Sequence, residues 1–100
     1  MAWPHSSYKW TPLGYIQITN LSSAVGLGPL TTVIPNDTIM ALIQAEAQGV
    51  RWRDDGVSPT ASIGMLLAAG QTFQYTTPDF RLIQFIQQTA GAVLNVSFYK

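Results

Sequence analysis

The chain has 100 residues, a mass of 10.9 kDa, five basic and five acidic residues, and no cysteine. This is the length of one domain, and with no Lys/Arg block it lacks the basic surface that binds nucleic acid or anionic lipid. The lack of cysteine excludes disulfides, thiolate metal ligands and cysteine nucleophiles.

The surface is predicted to carry few charges. A globule of this mass exposes roughly 5,600 Å². With 10% charged residues, that surface carries one charge per roughly 560 Å². Lone soluble proteins usually keep more charge to stay apart. We therefore expect uncharged polar side chains and contacts with neighbouring chains to cover much of it.

Residues 1–14 are predicted to form an extended N-terminal arm. Three large aromatic residues, Trp3, Tyr8 and Trp10, stand among prolines and serines, and prolines at this frequency prevent a helix or a central strand. The arm either packs on its own domain or lies on a neighbour. Because aromatic side chains are favoured interface anchors, we expect these three residues to contact a neighbouring subunit.

Two strands are predicted in the first half of the chain. Residues 15–19 alternate with the period of two that is typical of a strand. Residues 30–34 are rich in β-branched side chains and are followed by a proline. A loop of small residues, rich in serine and glycine, separates these two strands.

Residues 38–48 admit two interpretations. Good helix formers, a cap at Asn36 or Asp37 and a terminating Gly49 favour a helix. A strand would instead place alternate apolar side chains on one face, namely Ile39, Ala41, Ile43 and Ala45. We predict a strand, because every neighbouring element is predicted to be one.

A turn is predicted after the alternating segment 50–53, where an Asp-Asp-Gly sequence is typical of a hairpin connection. Its two carboxylates are expected to pair with the two arginines of the preceding strand and so to hold the hairpin in register. The residues assigned to this structural turn are Arg51, Arg53, Asp54, Asp55 and Gly56.

Further strands are predicted towards the C-terminus, at 60–67, 71–76, 81–87 and 93–99. In the first of these, Ile63, Met65 and Leu67 are expected to share one face. Short strands at intervals of about ten residues, bounded by Gly, Pro or Asp, predict an all-β fold. We expect a single antiparallel β-sandwich or jelly-roll-like barrel over residues 15–100, preceded by the arm at 1–14.

Candidate residues for chemistry are sparse. The one histidine, His5, lies in the arm with no rigid element to position a nucleophile. The Asp54-Asp55 pair does not have the spacing of a calcium loop, and no two carboxylates are spaced as a glycosidase pair. We predict no catalytic, cofactor-binding or metal-binding residue and no enzymatic activity. An enzyme would need a deep polar pocket lined by Glu46 or Asp79.

Residues 51–60, R-W-R-D-D-G-V-S-P-T, and residues 64–70, G-M-L-L-A-A-G, resemble a strand-turn-strand pattern of small tailed-bacteriophage virion proteins. The ending at 90–99 is similar to the closing strand of such proteins, and W-P-H-S-S-Y at 3–8 and G-Y-I-Q-I at 14–18 are also phage-like. The resemblance implies a β-sandwich or jelly-roll-like virion component, such as a capsid decoration, cement-like or head-tail protein, with no enzymatic role.

The functional hypothesis is a non-catalytic structural subunit located in the virion. Its expected partners are further copies of itself, as a trimer or else a dimer or pentamer, and other virion proteins such as a major capsid or tail protein. Nucleic acid and membrane are not expected partners. The alternative is a carbohydrate- or receptor-binding β-module of a fibre or capsid surface, with tryptophan and tyrosine side chains stacking on sugar.

Overall fold

The computed structural model describes residues 10–27, 34–77 and 79–100. Within these ranges the chain forms eight strands and no helix, so none of the described segments is a membrane-spanning helix. The strands are β1 (Pro12–Ile18), β2 (Val25–Gly26), β3 (Met40–Glu46), β4 (Val50–Arg53), β5 (Met65–Leu67), β6 (Thr72–Thr76), β7 (Gln84–Gln87) and β8 (Val93–Tyr99).

The eight strands form two antiparallel four-stranded sheets, with the orders β1-β8-β3-β6 and β2-β7-β4-β5. Strands of the first half pair in reverse order with strands of the second half: β1 with β8, β2 with β7, β3 with β6 and β4 with β5. The pairs β3–β8 and β4–β7 join these hairpin-like pairs into sheets. The prediction of an all-β antiparallel fold is confirmed.

One hydrophobic core takes side chains from both sheets. In β8 every second side chain is fully buried, while the residues between them face outward and are half-buried. The same alternation in β3 buries its alanines and isoleucine. The fully buried members from these strands and from sheet β2-β7-β4-β5 are Ala41, Ile43, Ala45, Val50, Phe85, Leu94, Val96 and Phe98. Period-two patterning therefore builds the core from both sides.

The strand prediction for residues 38–48 is confirmed by β3, which lies between β8 and β6 in its sheet. Helix propensity differs among ordinary residues by less than about 0.7 kcal/mol per residue. Burying a side chain such as Ile43 alone contributes about 1.5–3 kcal/mol. The two hydrogen-bonded neighbours of β3 and its buried face therefore outweigh the local preference for a helix.

The first strand starts earlier than predicted. Strand β1 begins at Pro12 and not at Tyr15, and the backbone of Thr11 already exchanges two hydrogen bonds with Lys100. Pro12 is tolerated because β1 is an edge strand, and the register shifts between Pro12 and Gly14. The last residues assigned to the arm thus belong to the sheet. The strand predicted at 30–34 falls mainly on residues 28–33, which lie outside the described residues.

The strand predicted at 60–67 is wrong over most of its length, since only Met65–Leu67 is a strand. The backbones of Thr60 and Ile63 bond to each other in a turn. Gly64 then has φ +140, a conformation that breaks the regular alternation. Only Leu67 is buried among the three residues predicted to share a face, whereas Ile63 and Met65 are exposed.

Candidate functional site

The connection between β4 and β5, residues 54–64, is fastened at its start by an ion pair. Arg53 donates from Nε to Asp55 Oδ1 at 3.0 Å and from Nη2 to Asp55 Oδ2 at 2.6 Å. This two-pronged hydrogen bond lowers the pKa of Asp55 and raises the pKa of Arg53. Asp55 is exposed and Arg53 is half-buried, so solvent screens the pair and it orders the turn more than it stabilises the fold.

The other aspartate of the turn ties the connection to the opposite sheet. Tyr75 on β6 donates its hydroxyl hydrogen to Asp54 Oδ2 at 2.6 Å. Partial burial, and then this hydrogen bond to Asp54, raise the pKa of Tyr75 to about 12. The Asp54–Tyr75 bond therefore holds the β4 end of one sheet beside the β6 edge of the other.

Arg51 does not pair with either aspartate. Its Nη1 donates to the carbonyl oxygen of Gly64 at 3.0 Å, and its Nε is buried without a hydrogen-bond partner among the described residues. The expectation that both arginines pair with the turn carboxylates is therefore correct for Arg53 and wrong for Arg51. Because Gly64 lies against the Arg51 side chain, its carbonyl is closer than either carboxylate.

Gly64 is packed too closely for a side chain. A Cβ there would lie 3.1 Å from the Trp52 carbonyl oxygen, 3.2 Å from Arg51 Cβ and 3.2 Å from Pro59 Cβ. Its positive φ adds backbone strain for any L-residue.

We expect Gly64→Ala to lower the free energy of unfolding by roughly 2–4 kcal/mol, from strain and displaced neighbours together. The matched control is Gly56→Ala, because Gly56 also has positive φ but a Cβ added there has no atom within 4 Å. This control should cost about 1 kcal/mol. Urea denaturation of both variants measures the difference, and equal losses would contradict the close packing at Gly64.

We expect Tyr75→Phe to weaken the fold at neutral pH by about 0.5–1.5 kcal/mol, the usual worth of one hydrogen bond. In the parent chain the raised pKa of Tyr75 stabilises the folded state below pH 10, where the Tyr75 phenol is protonated in the folded and unfolded chain. That contribution is lost as the pH rises from about 10 towards 12. Urea denaturation from pH 8 to 12 should therefore show a steeper alkaline loss in the parent than in Tyr75→Phe. Parallel profiles would contradict the assignment.

An apolar cleft opens beside this turn, where β5 and β6 are the edge strands of their sheets. At its base the Trp52 ring stacks on Phe73 with 5.1 Å between centroids and 10° between planes. Two adjoining grooves, about 480 and 250 Å³ in volume, share Trp52 and Met65 in their walls. We call these two grooves the Trp52 cleft.

The rim of the Trp52 cleft carries exposed apolar side chains. Ile63 is 57% exposed, Met65 60% and Leu66 48%. The strand predicted at 60–67 did not indicate this surface, because it placed Ile63 and Met65 on one face with Leu67. The available signal was the uninterrupted apolar run Met65–Leu67, which places a large side chain on both faces of a short strand.

A second surface, on the outer face of sheet β1-β8-β3-β6, is polar. Asn95 Nδ2 donates to Gln44 at 3.1 Å and to Glu46 at 2.9 Å. Its Oδ1 accepts from the Tyr15 hydroxyl and from Gln17. These side chains satisfy one another, and the Tyr15 ring is 59% exposed above them.

The other candidate residues of the sequence analysis do not converge. Trp3, Tyr8 and His5 lie outside the described residues, and Trp10 is partly exposed just before β1. Glu46 ends β3, whereas Asp79 follows β6 at the opposite end of that sheet and pairs with Arg81, which lowers the Asp79 pKa to about 2.

Metal-ligating residues are likewise scattered. Among the described residues, no three His, Cys, Asp or Glu side chains come together as a metal site. Comparison of the chain with protein-family models, with curated proteins and with solved structures finds no match to any of them.

Proposed function

We propose that this chain is a non-catalytic structural subunit of a phage virion, packing as a repeated unit in the capsid or tail. In this proposal the aromatic N-terminal arm, with Trp3, Tyr8 and Trp10, ties each subunit to a neighbour. The β-domain supplies a rigid body, and many modest contacts act together through multivalency.

The observation that carries the proposal is the imbalance between exposed apolar groups and charge. Eight large hydrophobic side chains are exposed among the described residues. The chain has ten charged residues, and the ion pairs Arg53–Asp55 and Arg81–Asp79 neutralise four of them. Over a surface of 5582 Å², the remaining charges are too sparse to keep copies apart, which favours association.

The strand pairing supports the same proposal. The two halves of the chain pair in reverse order and form two four-stranded sheets. We interpret this strand order as that of an eight-stranded jelly roll. Viral capsid proteins, lectin domains and cupins use this architecture. Architecture alone does not assign a function; the choice of a virion rests on the resemblance of residues 51–60 and 64–70.

The alternative is a carbohydrate- or receptor-binding module of a fibre or capsid surface. It is favoured by the exposed Tyr15 ring beside the amide groups of Gln17, Gln44 and Asn95. An aromatic face next to amides is suited to stack on a sugar ring and bond its hydroxyls. Saturable binding of the purified chain on a glycan array that is lost in Tyr15→Ala would favour this alternative.

The experiment that tests the proposal is native mass spectrometry of the purified chain, with light scattering over a range of concentrations. We expect a mass that is a small multiple of 10.9 kDa, with a trimer as the first expectation, because contacts among identical subunits usually close with symmetry. A monomer at every concentration would contradict the proposed assembly.

A further inference from the structure

Among the described residues, one backbone edge of strand β6 has no pairing partner. Hydrogen bonds from Ala45 N to Gln71 O and from Thr77 N to Ile39 O, each 3.1 Å, show which residues of this segment face β3. By antiparallel alternation, the N–H and C=O groups of Phe73 and Tyr75 also point towards β3. Those of Thr72, Gln74 and Thr76 point away from the sheet. No described strand lies on that side of β6.

This edge lacks the usual protection against a further strand. Exposed edges are generally blocked by charged side chains, prolines or bulges. Residues 72–76, Thr-Phe-Gln-Tyr-Thr, contain no charge and no proline, and their pairing with β3 is regular. An extended segment is therefore able to add to β6 with main-chain hydrogen bonds.

The Trp52 cleft lies where the side chains of an added strand would point. Phe73 and Tyr75 face inward, and Phe73 stacks on Trp52 at the base of the cleft. On an added strand, the residues opposite Phe73 and Tyr75 point to the same side. Their side chains would cover Trp52 and the exposed Met65.

The N-terminal segment, residues 1–9, has the properties of the occupant. It joins the described chain just before β1, which is the opposite edge of the same sheet from β6. Fully extended it spans roughly 30 Å, enough to leave one edge and run along a strand of an adjacent copy. It carries Trp3 and Tyr8 as apolar anchors.

Charge is complementary between segment and cleft. Residues 1–9 contain His5 and Lys9 and no acidic residue. At the cleft, Arg53 is paired with Asp55, while Asp54 accepts a hydrogen bond from Tyr75 and forms no ion pair with a described cation. Asp54 is thus the carboxylate at the mouth of the cleft that remains for a basic segment, while the Arg51 guanidinium bonds to the Gly64 carbonyl.

We propose that residues 1–9 of one copy add as a fifth strand to the β6 edge of a second copy and place an aromatic side chain in its Trp52 cleft. The inference deepens the proposed function and rests on it. Donor edge β1 and acceptor edge β6 lie on opposite sides of one sheet, so each copy donates on one side and accepts on the other. Such a head-to-tail contact forms a ring when the rotation closes.

The test uses two full-length variants and their mixture. Trp3→Ala/Tyr8→Ala removes the anchors of the donor segment. Met65→Glu/Gln74→Pro disables the acceptor in two ways. The glutamate places a charge at an exposed position of the cleft rim, and the proline removes an N–H that points to the free edge. Each variant alone should be monomeric by native mass spectrometry, with at least about tenfold weaker association. An equimolar mixture should form a dimer of one copy of each variant and nothing larger, because only one intact donor and acceptor remain.

Controls keep the outcomes distinct. Leu82→Glu places a charge at another exposed apolar residue, away from the cleft, and should leave the assembly unchanged. If the proline variant does not unfold cooperatively, Met65→Glu alone is used as the acceptor variant. An assembly that survives both acceptor variants overturns the inference. A mixture that stays monomeric also overturns it, and this is the result expected if the segment docks on its own copy. A monomeric parent chain overturns the proposed function itself.

Discussion

Phe85→Ala is expected to lower the free energy of unfolding by about 3–5 kcal/mol, the usual loss for a fully buried phenylalanine. Phe85 has no exposed surface and lies on β7, opposite Val25 of β2 and Trp52 of β4. Truncation leaves a cavity in the core that the two sheets share. Domains of this size have total stabilities of roughly 5–15 kcal/mol, so much of the stability is removed. Urea denaturation followed by tryptophan fluorescence measures the change.

The control for Phe85→Ala is Leu82→Ala, three residues earlier in the chain. Leu82 is 51% exposed, and its truncation should cost less than about 0.5 kcal/mol. If the two variants lose similar stability, the core assignment of β7 is wrong.

Removal of residues 2–9 is expected to abolish assembly while leaving a cooperatively folded domain. The shortened chain keeps Trp10, the Thr11–Lys100 backbone pairing and all eight strands. It loses Trp3 and Tyr8, and an aromatic anchor at an interface typically contributes about 2–4 kcal/mol. Association should weaken by a factor of roughly 30 to 1,000 for each contact that depends on one anchor. Native mass spectrometry measures the assembly, and urea denaturation the fold.

Full-length chains separate the loss of aromatic anchors from the loss of length. Trp3→Ala/Tyr8→Ala should match the deletion, whereas Ser6→Ala/Ser7→Ala should assemble like the parent chain. An assembly of unchanged mass after deletion would refute the role of the arm. A deletion that unfolds the domain would instead place the arm on its own domain.

The strands that the sequence predicts correctly are those with strict alternation. In β8 the polar residues Asn95 and Ser97 alternate with Leu94, Val96 and Phe98, and in β6 the aromatic residues Phe73 and Tyr75 alternate with polar ones. Alternation is a local property, because successive side chains of any strand point to opposite faces. The strand prediction for 38–48 needed one further step, consistency with neighbouring strands, since its composition alone favours a helix.

The candidate cleft was not predictable in the same way. Its base joins Trp52 and Phe73 from different sheets, and its rim depends on Gly64, whose positive φ turns Ile63 out of the expected strand face. The Tyr75–Asp54 hydrogen bond joins residues 21 positions apart. No local pattern encodes such contacts, because they depend on how the two sheets come together.

The sequence by itself determined the class of fold, the low charge, the lack of thiol chemistry and the turn at 54–56. These follow from composition and from the two-residue period of a strand, which need no knowledge of neighbours. Only the tertiary structure decided the strand order, the free edge of β6 and the partners of Arg51 and Asp54. Several strand orders are compatible with the same local patterns, because the strands look alike locally and their partners are distant in the sequence. The strand order is settled by the shared core, in which both sheets bury their apolar faces at once.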